Sequence, residues 1–203
     1  LTEIGWVRGK YFDHIIRASA KNPFYKIKKD LDKISYSLSA IKILDRLVLP
    51  EKADFFIYQL LVDFLQSIDD EQELFKMRIL WNVFCWQLMK ALGLGPNLKN
   101  CSKCQQIIKE KDVLLFDFRG GSVVHQKCVK NDNGKIKIAI DEIKIIRLFS
   151  EKKLAFWKNK TIQKEGDTSR CRLLDKTENI LKKFLVYHEY SFEGNVVSFV
   201  EPV

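Results

Sequence analysis

Leu92-Gly93-Leu94-Gly95-Pro96-Asn97-Leu98-Lys99-Asn100-Cys101-Ser102-Lys103-Cys104, followed further on by His125-Gln126-Lys127-Cys128, is the stretch whose spacing decides the fold. It reads C-x2-C-x20-H-x2-C, two short knuckles that bring four donors to one tetrahedral zinc with no coordination position left open. Between them, Val113-Leu114-Leu115-Phe116-Asp117-Phe118 and Ser122-Val123-Val124 have the branched and aromatic content of short strands. Gly120-Gly121 supplies the tight turn that sets the knuckles side by side. The predicted metal ligands are Cys101, Cys104, His125 and Cys128.

Working outward from that centre, the segment before it predicts a helix over Glu71–Leu92. Leu74, Phe75, Ile79, Leu80, Val83, Phe84, Leu88, Met89 and Leu92 leave it apolar nearly all round, which places it centrally, and Trp81 and Trp86 belong to the same core. Gly93, Gly95 and Pro96 stop it and deliver the chain into the first knuckle. A second helix is expected from Phe55 to Ile68, after Asp54. An earlier one is expected to begin at Asn22-Pro23, an N-cap with Pro at the first helical position, and to run to Pro50. Its stripe would be Phe24, Ile27, Leu31, Ile34, Leu38, Ile41, Asp45 and Val48, with Lys26, Lys29 and Lys33 projecting from the opposite face as candidate contacts for an anionic partner. After the module, a helix from near Asp141 to near Trp157 uses Ile143, Ile146 and Phe149. A polar loop over Lys158–Thr168 precedes a last helix with Leu173, Leu174, Ile180, Leu181, Phe184 and Leu185 as its core and His188 at its end, capping or buried. Val196, Val197 and Val200 in the tail are expected to dock on the bundle.

The chain has no initiator Met, and Ile4-Gly5-Trp6-Val7-Arg8 and Tyr11-Phe12-Asp13-His14-Ile15-Ile16 alternate as if entering mid-strand. They predict the closing strands of a small β domain whose earlier part is absent.

Composition narrows the function. With 203 residues and 46% hydrophobic content, the chain can build one sizeable core or a core plus a metal-stapled module. A formal charge of +9 favours an anionic partner. That charge is uneven: residues 21–49 carry +4 and residues 93–140 carry +5. No run approaches transmembrane length and no signal-peptide pattern opens the chain, so nucleic acid is preferred to a membrane. Five cysteines arranged mostly in metal-type pairs fit a reducing cytoplasm. The remaining two are Cys85, a buried thiol among apolar neighbours, and Cys171, flanked by arginines; neither is assigned a role. A hydrolytic zinc would need an open position and a nearby carboxylate, and a deaminase would show His-x-Glu with Pro-Cys-x-x-Cys. Neither pattern is present, nor is a P-loop, a dinucleotide fingerprint or a nucleophile elbow. No catalytic residue is assigned.

Together, the buried helix ending in Leu92-Gly93-Leu94-Gly95-Pro96-Asn97-Leu98, the Cys101-x-x-Cys104 knuckle, the Phe116-Asp117-Phe118 to Gly120-Gly121 hairpin and the second knuckle resemble the RecO family of bacterial recombination mediators. The resemblance covers the whole chain, and Leu-Gly-x-x-Pro-x-Leu before the first Cys pair is its most specific part. His125 departs from the family's commoner four-cysteine form, yet histidine is a competent ligand.

The resemblance implies a mainly α fold: a helical bundle with a small β-hairpin, zinc-ribbon-like insertion, preceded by the remnant of an OB-fold barrel. The corresponding divisions are 1–20, the end of an incomplete OB-fold domain; 21–95, the first helical part; 96–135, the zinc-finger-like module; and 136–203, the second helical part. It further implies a non-enzymatic cytoplasmic, nucleoid-associated protein of recombinational repair holding one structural zinc. Such a protein binds single- and double-stranded DNA, anneals complementary strands and works with RecR. It also meets the acidic C-terminal tail of the single-stranded-DNA-binding protein and helps load RecA, with no membrane role. The alternatives are a zinc-ribbon interaction or nucleic-acid-binding module of transcription or translation and, more remotely, a metal-dependent nuclease or deaminase.

Overall fold

The computed structural model describes residues 2–48, 54–159 and 168–193. Thr2–Val7 (β1) and His14–Ala20 (β2) form an antiparallel pair with a register shift between Gly5 and Trp6. The turn between them needs Gly9, because a Cβ there would sit 2.0 Å from the Phe12 carbonyl oxygen. Trp6, Tyr11, Phe12, Ile15 and Ile16 are all exposed on this ribbon, a two-stranded sheet separate from the three-stranded one. The helices follow as α1 (Leu31–Leu47), α2 (Phe55–Asp70) and α3 (Leu74–Ala91). The three-stranded sheet comprises β3 (Leu114–Asp117), β4 (Ser122–His125) and β5 (Lys135–Ile138), in the antiparallel order β4-β3-β5. Then come α4 (Ile140–Glu151), α5 (Leu154–Asn159) and α6 (Thr168–Glu193).

The core is organised around α3, as its all-round apolar sequence requires. Val83, Phe84, Trp86, Leu88 and Met89 are completely buried, though Leu74 at its start is exposed. Phe84 stacks on Phe64 of α2 with centroids 4.6 Å apart, and Trp86 stacks on Phe184 of α6 at 5.5 Å. Phe184 also meets Phe116 of β3 edge-on at 5.7 Å. One aromatic ring therefore ties α6, α3 and the sheet together, with the edge-to-face geometry that ring quadrupoles favour. Across α3 and α6, Arg78 grips both carboxylate oxygens of Glu178 and one of Asp175. These bonds, with burial opposing them, push the guanidinium pKa far above its usual value.

Three expectations need correction. First, α1 begins at Leu31, not Pro23: Asp30 is extended and its carboxylate accepts the Lys33 amide, making it the N-cap. The preceding Ile27–Lys29 is a single 3-10 turn, and Asp69 accepts the Lys26 and Ile27 amides through one carboxylate oxygen. Second, the buried face of α1 is Lys33, Tyr36, Ser37, Ala40, Ile43 and Leu47, whereas Leu31, Leu38 and Ile41 face solvent. The face turned inward is less aliphatic because it is chosen by fit: Ala40, fully buried, permits close approach, and Tyr36 packs its ring 6.0 Å from Trp81. Third, the Asp141–Trp157 helix breaks at Lys152, whose backbone is extended. Gln87 donates to the carbonyls of Phe149 and Lys152 there, satisfying the exposed helix end, and the break lets Leu154 and Trp157 turn inward on α5.

Along α6, Leu174, Ile180, Leu181, Phe184 and Leu185 are buried and Leu173 is half-buried. His188 is buried but lies within the helix, which continues to Glu193. Most of the expected polar loop, residues 160–167, and the tail from 194, with Val196, Val197 and Val200, lie outside the described residues.

Candidate metal centre

Pairing of β3 with β4 puts Leu115 opposite Val124 and Phe116 opposite Val123. The alternation of strand side chains then gives the hairpin two buried faces. Leu114, Phe116 and Val123 join the main core, while Leu115 and Val124 form a small separate cluster with Cys101, flanked by Cys128 and Val129. The turn uses Gly121 at φ +50°, where a Cβ would press within 3.3 Å of Phe184. The hairpin thus stands with one face on the bundle and the other under the knuckles.

The chain leaving α3 is stitched to β4: the Asn97 amide donates to Gly121 O, Val123 to Asn97 O and Ser102 to Val123 O. The first knuckle closes on itself through Cys101 N–H to Gln106 O and Gln105 N–H to Cys101 O, with Gln105 in the left-handed region at φ +61°. His125 ends β4, and the 3-10 turn Gln126–Cys128 returns Cys128 toward it. Together these elements bring the donors of Cys101, Cys104, His125 and Cys128 within 4.8 Å of one another. His125 Nδ1 lies 3.4 Å from Cys104 Sγ and 3.9 Å from Cys128 Sγ.

Asp112, a residue the sequence pattern did not single out, completes the arrangement. Its Oδ2 is 3.0 Å from His125 Nε2 and also accepts the Lys109 amide at 2.8 Å. The Lys109 amide is the larger influence holding this carboxyl below its usual pKa, against a small opposing effect of burial, and His125 adds to it. A carboxylate on the outer ring nitrogen fixes the tautomer that leaves Nδ1 free as a ligand.

The thiols are unequal. Burial raises the Cys101 thiol, but amide donors from Cys104, His125 and Lys103 outweigh it and bring it down to about 6. The His125 amide contact is 3.4 Å. Burial and the neighbouring Cys104 and Cys101 side chains push Cys128 up to about 11. Gathering three sulfurs this closely favours the first ionisation and opposes the later ones, a conflict that a divalent cation removes by accepting thiolates directly. The residues therefore fit zinc: three sulfurs and one nitrogen, an oriented histidine, and no carboxylate inside the donor set.

The predicted DNA face does not assemble. Lys33 is 1% exposed and its Nζ donates to the Asp69 carbonyl at 2.8 Å, capping α2, since a buried ammonium requires such an acceptor. Lys26 and Lys29 remain exposed on the approach to α1, Lys26 within 3.6 Å of Asp70. Lys28, exposed and 5.8 Å from the Tyr25 ring, belongs to the same patch. The unassigned Cys85 is fully buried, which raises its pKa well above the usual thiol value. No helix among the described residues is long and apolar enough to cross a membrane.

A helical bundle carrying a three-stranded, four-donor knuckle module is the class that fold and site define. Residues 28–184 match the family model described as "Recombination protein O C terminal". Similar proteins include the DNA repair protein RecO of Listeria welshimeri, 23% identical over 181 residues, covering 79% of this chain and 69% of that protein. The DNA repair protein RecO of Acetivibrio thermocellus is 25% identical over 134 residues, covering 65% and 51% respectively. The chain belongs to the RecO family.

Proposed function

We propose that this chain acts in recombinational DNA repair as a non-enzymatic mediator, binding single- and double-stranded DNA through phosphates and promoting annealing of complementary strands. Membership of the RecO family over residues 28–184 carries the reading. In it, the chain works in the cytoplasm at the nucleoid with RecR, meets the acidic tail of the single-stranded-DNA-binding protein, and helps load RecA.

One structural zinc on Cys101, Cys104, His125 and Cys128 would supply a cross-link between the two knuckles and leave no position for substrate. The closed donor set supports this, and elemental analysis should find about one zinc per chain. The chain's own residues do the rest. Asp112 holds the His125 ring, Leu115 and Val124 shield the sulfurs from below, and Phe116 seats the module on the bundle.

DNA contact rests on exposed cations, among them Lys26, Lys28 and Lys29, rather than on a surface that reads bases. Affinity should fall with salt at a logarithmic slope of about 0.7 per phosphate engaged on a single strand. Fluorescence anisotropy with a labelled oligonucleotide across a salt series tests this. Absence of binding at low salt would overturn the DNA-binding reading.

A further inference from the structure

The three sulfurs of the metal centre differ in what covers them. Cys101 is completely buried against Leu115 and Val124, and its Sγ takes the His125 amide at 3.4 Å. Its backbone is tied as well, Cys101 N–H to Gln106 O and Gln105 N–H to Cys101 O. Cys104 is the opposite case. It is exposed, and so are its chain neighbours Lys103, Gln105 and Gln106. Cys128 lies between these extremes, half-buried at the end of the 3-10 turn Gln126–Cys128.

The geometry singles out one pair. His125 Nδ1 lies 3.4 Å from Cys104 Sγ and 3.9 Å from Cys128 Sγ, so the two sulfurs flank one ring nitrogen from separate knuckles. All the donor atoms lie within 4.8 Å of one another. A disulfide needs its sulfurs about 2.05 Å apart, so an approach of less than about 3 Å closes the pair. The turn carrying Cys128 can supply that movement. It is closed by Val129 N–H to Gln126 O at 3.3 Å, a long bond of the kind that 3-10 geometry gives. Cys85, buried in α3, and Cys171, on α6, stand outside the donor group.

We propose that this centre is a peroxide-sensitive switch, in which exposed Cys104 is oxidised first and Cys128 then joins it in a disulfide across the two knuckles. The Cys104 thiolate attacks one oxygen of hydrogen peroxide, the O–O bond breaks, and hydroxide leaves with a sulfenic acid formed on Cys104. The Cys128 thiolate attacks that sulfur, forming the S–S bond and expelling a second hydroxide. Two protons from solvent turn both hydroxides into water. Two thiolates have then lost two electrons, and one peroxide has become two waters. Cys101 and His125 remain as two donors, fewer than a structural zinc site uses, so the metal is released. A thiol reductant reverses the change. The proposal rests on the zinc reading of the preceding section for what is released, whereas the disulfide depends only on the two sulfurs.

The test exposes the full zinc-loaded chain to hydrogen peroxide at a level that leaves the buried Met77 and Met89 unoxidised. A chromogenic chelator follows zinc, and mass spectrometry of proteolytic fragments maps the disulfides. About one zinc should be released for each disulfide formed, with Cys104–Cys128 the main product, and dithiothreitol should restore both thiols. Cys171→Ser should release zinc at the parent's rate. Cys128→Ser should stop at a sulfenic acid on Cys104 that dimedone traps. Mapping on the unaltered chain decides the matter even where that variant does not fold. A Cys101–Cys104 link as the main product overturns the cross-knuckle pairing. Retention of zinc with every thiol intact overturns the switch and leaves the zinc reading standing. A chain that holds no zinc yet forms Cys104–Cys128 supports the pairing and overturns the zinc reading instead.

Discussion

The bundle and the metal module are held together by different physics. Around α3 the core is large and continuous, running from Ile27 to Leu185, and most of its rings touch other rings. The outer face of the module has a buried cluster of only Cys101, Leu115 and Val124. A cluster that small offsets little of the ordering of two knuckles, and the four gathered donors are where a metal cross-link would add what packing does not. The difference teaches where each region is vulnerable: the bundle to lost volume, the module to lost donors or to lost orientation of a donor.

The largest effect should come from the bundle. Phe84→Ala removes a fully buried ring and should cost about 3–5 kcal/mol, lowering the melting temperature by roughly 6–20 °C. Below its own melting temperature this variant should still bind zinc with parental affinity. Calorimetry alongside a competitive zinc titration checks both halves; a parallel fall in zinc affinity would mean the two regions are one cooperative unit.

Asp112→Ala should act the other way round. Loss of the carboxylate behind His125 should lower zinc affinity by about ten- to a hundredfold while barely changing melting of the bundle. Unchanged zinc affinity would remove Asp112 from the account.

Two lysines that share a sequence pattern should then separate sharply. Lys33→Met leaves the buried Asp69 carbonyl without its donor and should cost about 1–3 kcal/mol. Lys29→Glu, at an exposed site, should change stability by less than about 0.5 kcal/mol and instead weaken oligonucleotide binding across all sequences. Urea titration and anisotropy on the same two proteins distinguish buried cap from surface charge.

The smallest effect is a dependence on pH. Burial holds His188 below its usual pKa, with the Phe118 carbonyl partly opposing that. Since the unfolded chain then binds the proton more readily, this contribution to stability is complete above about 6.5 and is lost as pH falls toward the lower folded value. His188→Gln should therefore melt with a shallower acid-side decline than the parent; identical slopes would show that His188 does not titrate differently on folding.

Much of this is legible in the sequence. The C-x2-C-x20-H-x2-C spacing brings its four donors together because two knuckles on one hairpin leave few other geometries. The apolar surround of α3 marks it as central because only a buried helix can hide every face. The orientation of α1 was not legible, because Leu31, Leu38 and Ile41 make the better hydrophobic stripe while the face that packs uses Tyr36, Ala40 and an amino group from Lys33. Pattern weighs transfer free energy; packing also weighs shape and satisfied carbonyls. Asp112 was hidden for a related reason: one carboxylate between the knuckles has no spacing rule, and only the folded hairpin brings it to Nε2. The third strand, Lys135-Ile136-Lys137-Ile138, alternates over just four residues and becomes a strand because the free edge of β3 accepts it.

Amide hydrogen exchange, followed residue by residue on the zinc-loaded chain before and after chelation, tests the central claim most directly. The account predicts that amides from Asn97 to Cys128 lose protection on chelation, Cys101, Ser102 and His125 most of all, while the amides of α3 from Ile79 to Leu88 keep theirs. Equal loss in both regions, or no loss in the knuckles, would contradict a metal-held module seated on a self-sufficient bundle.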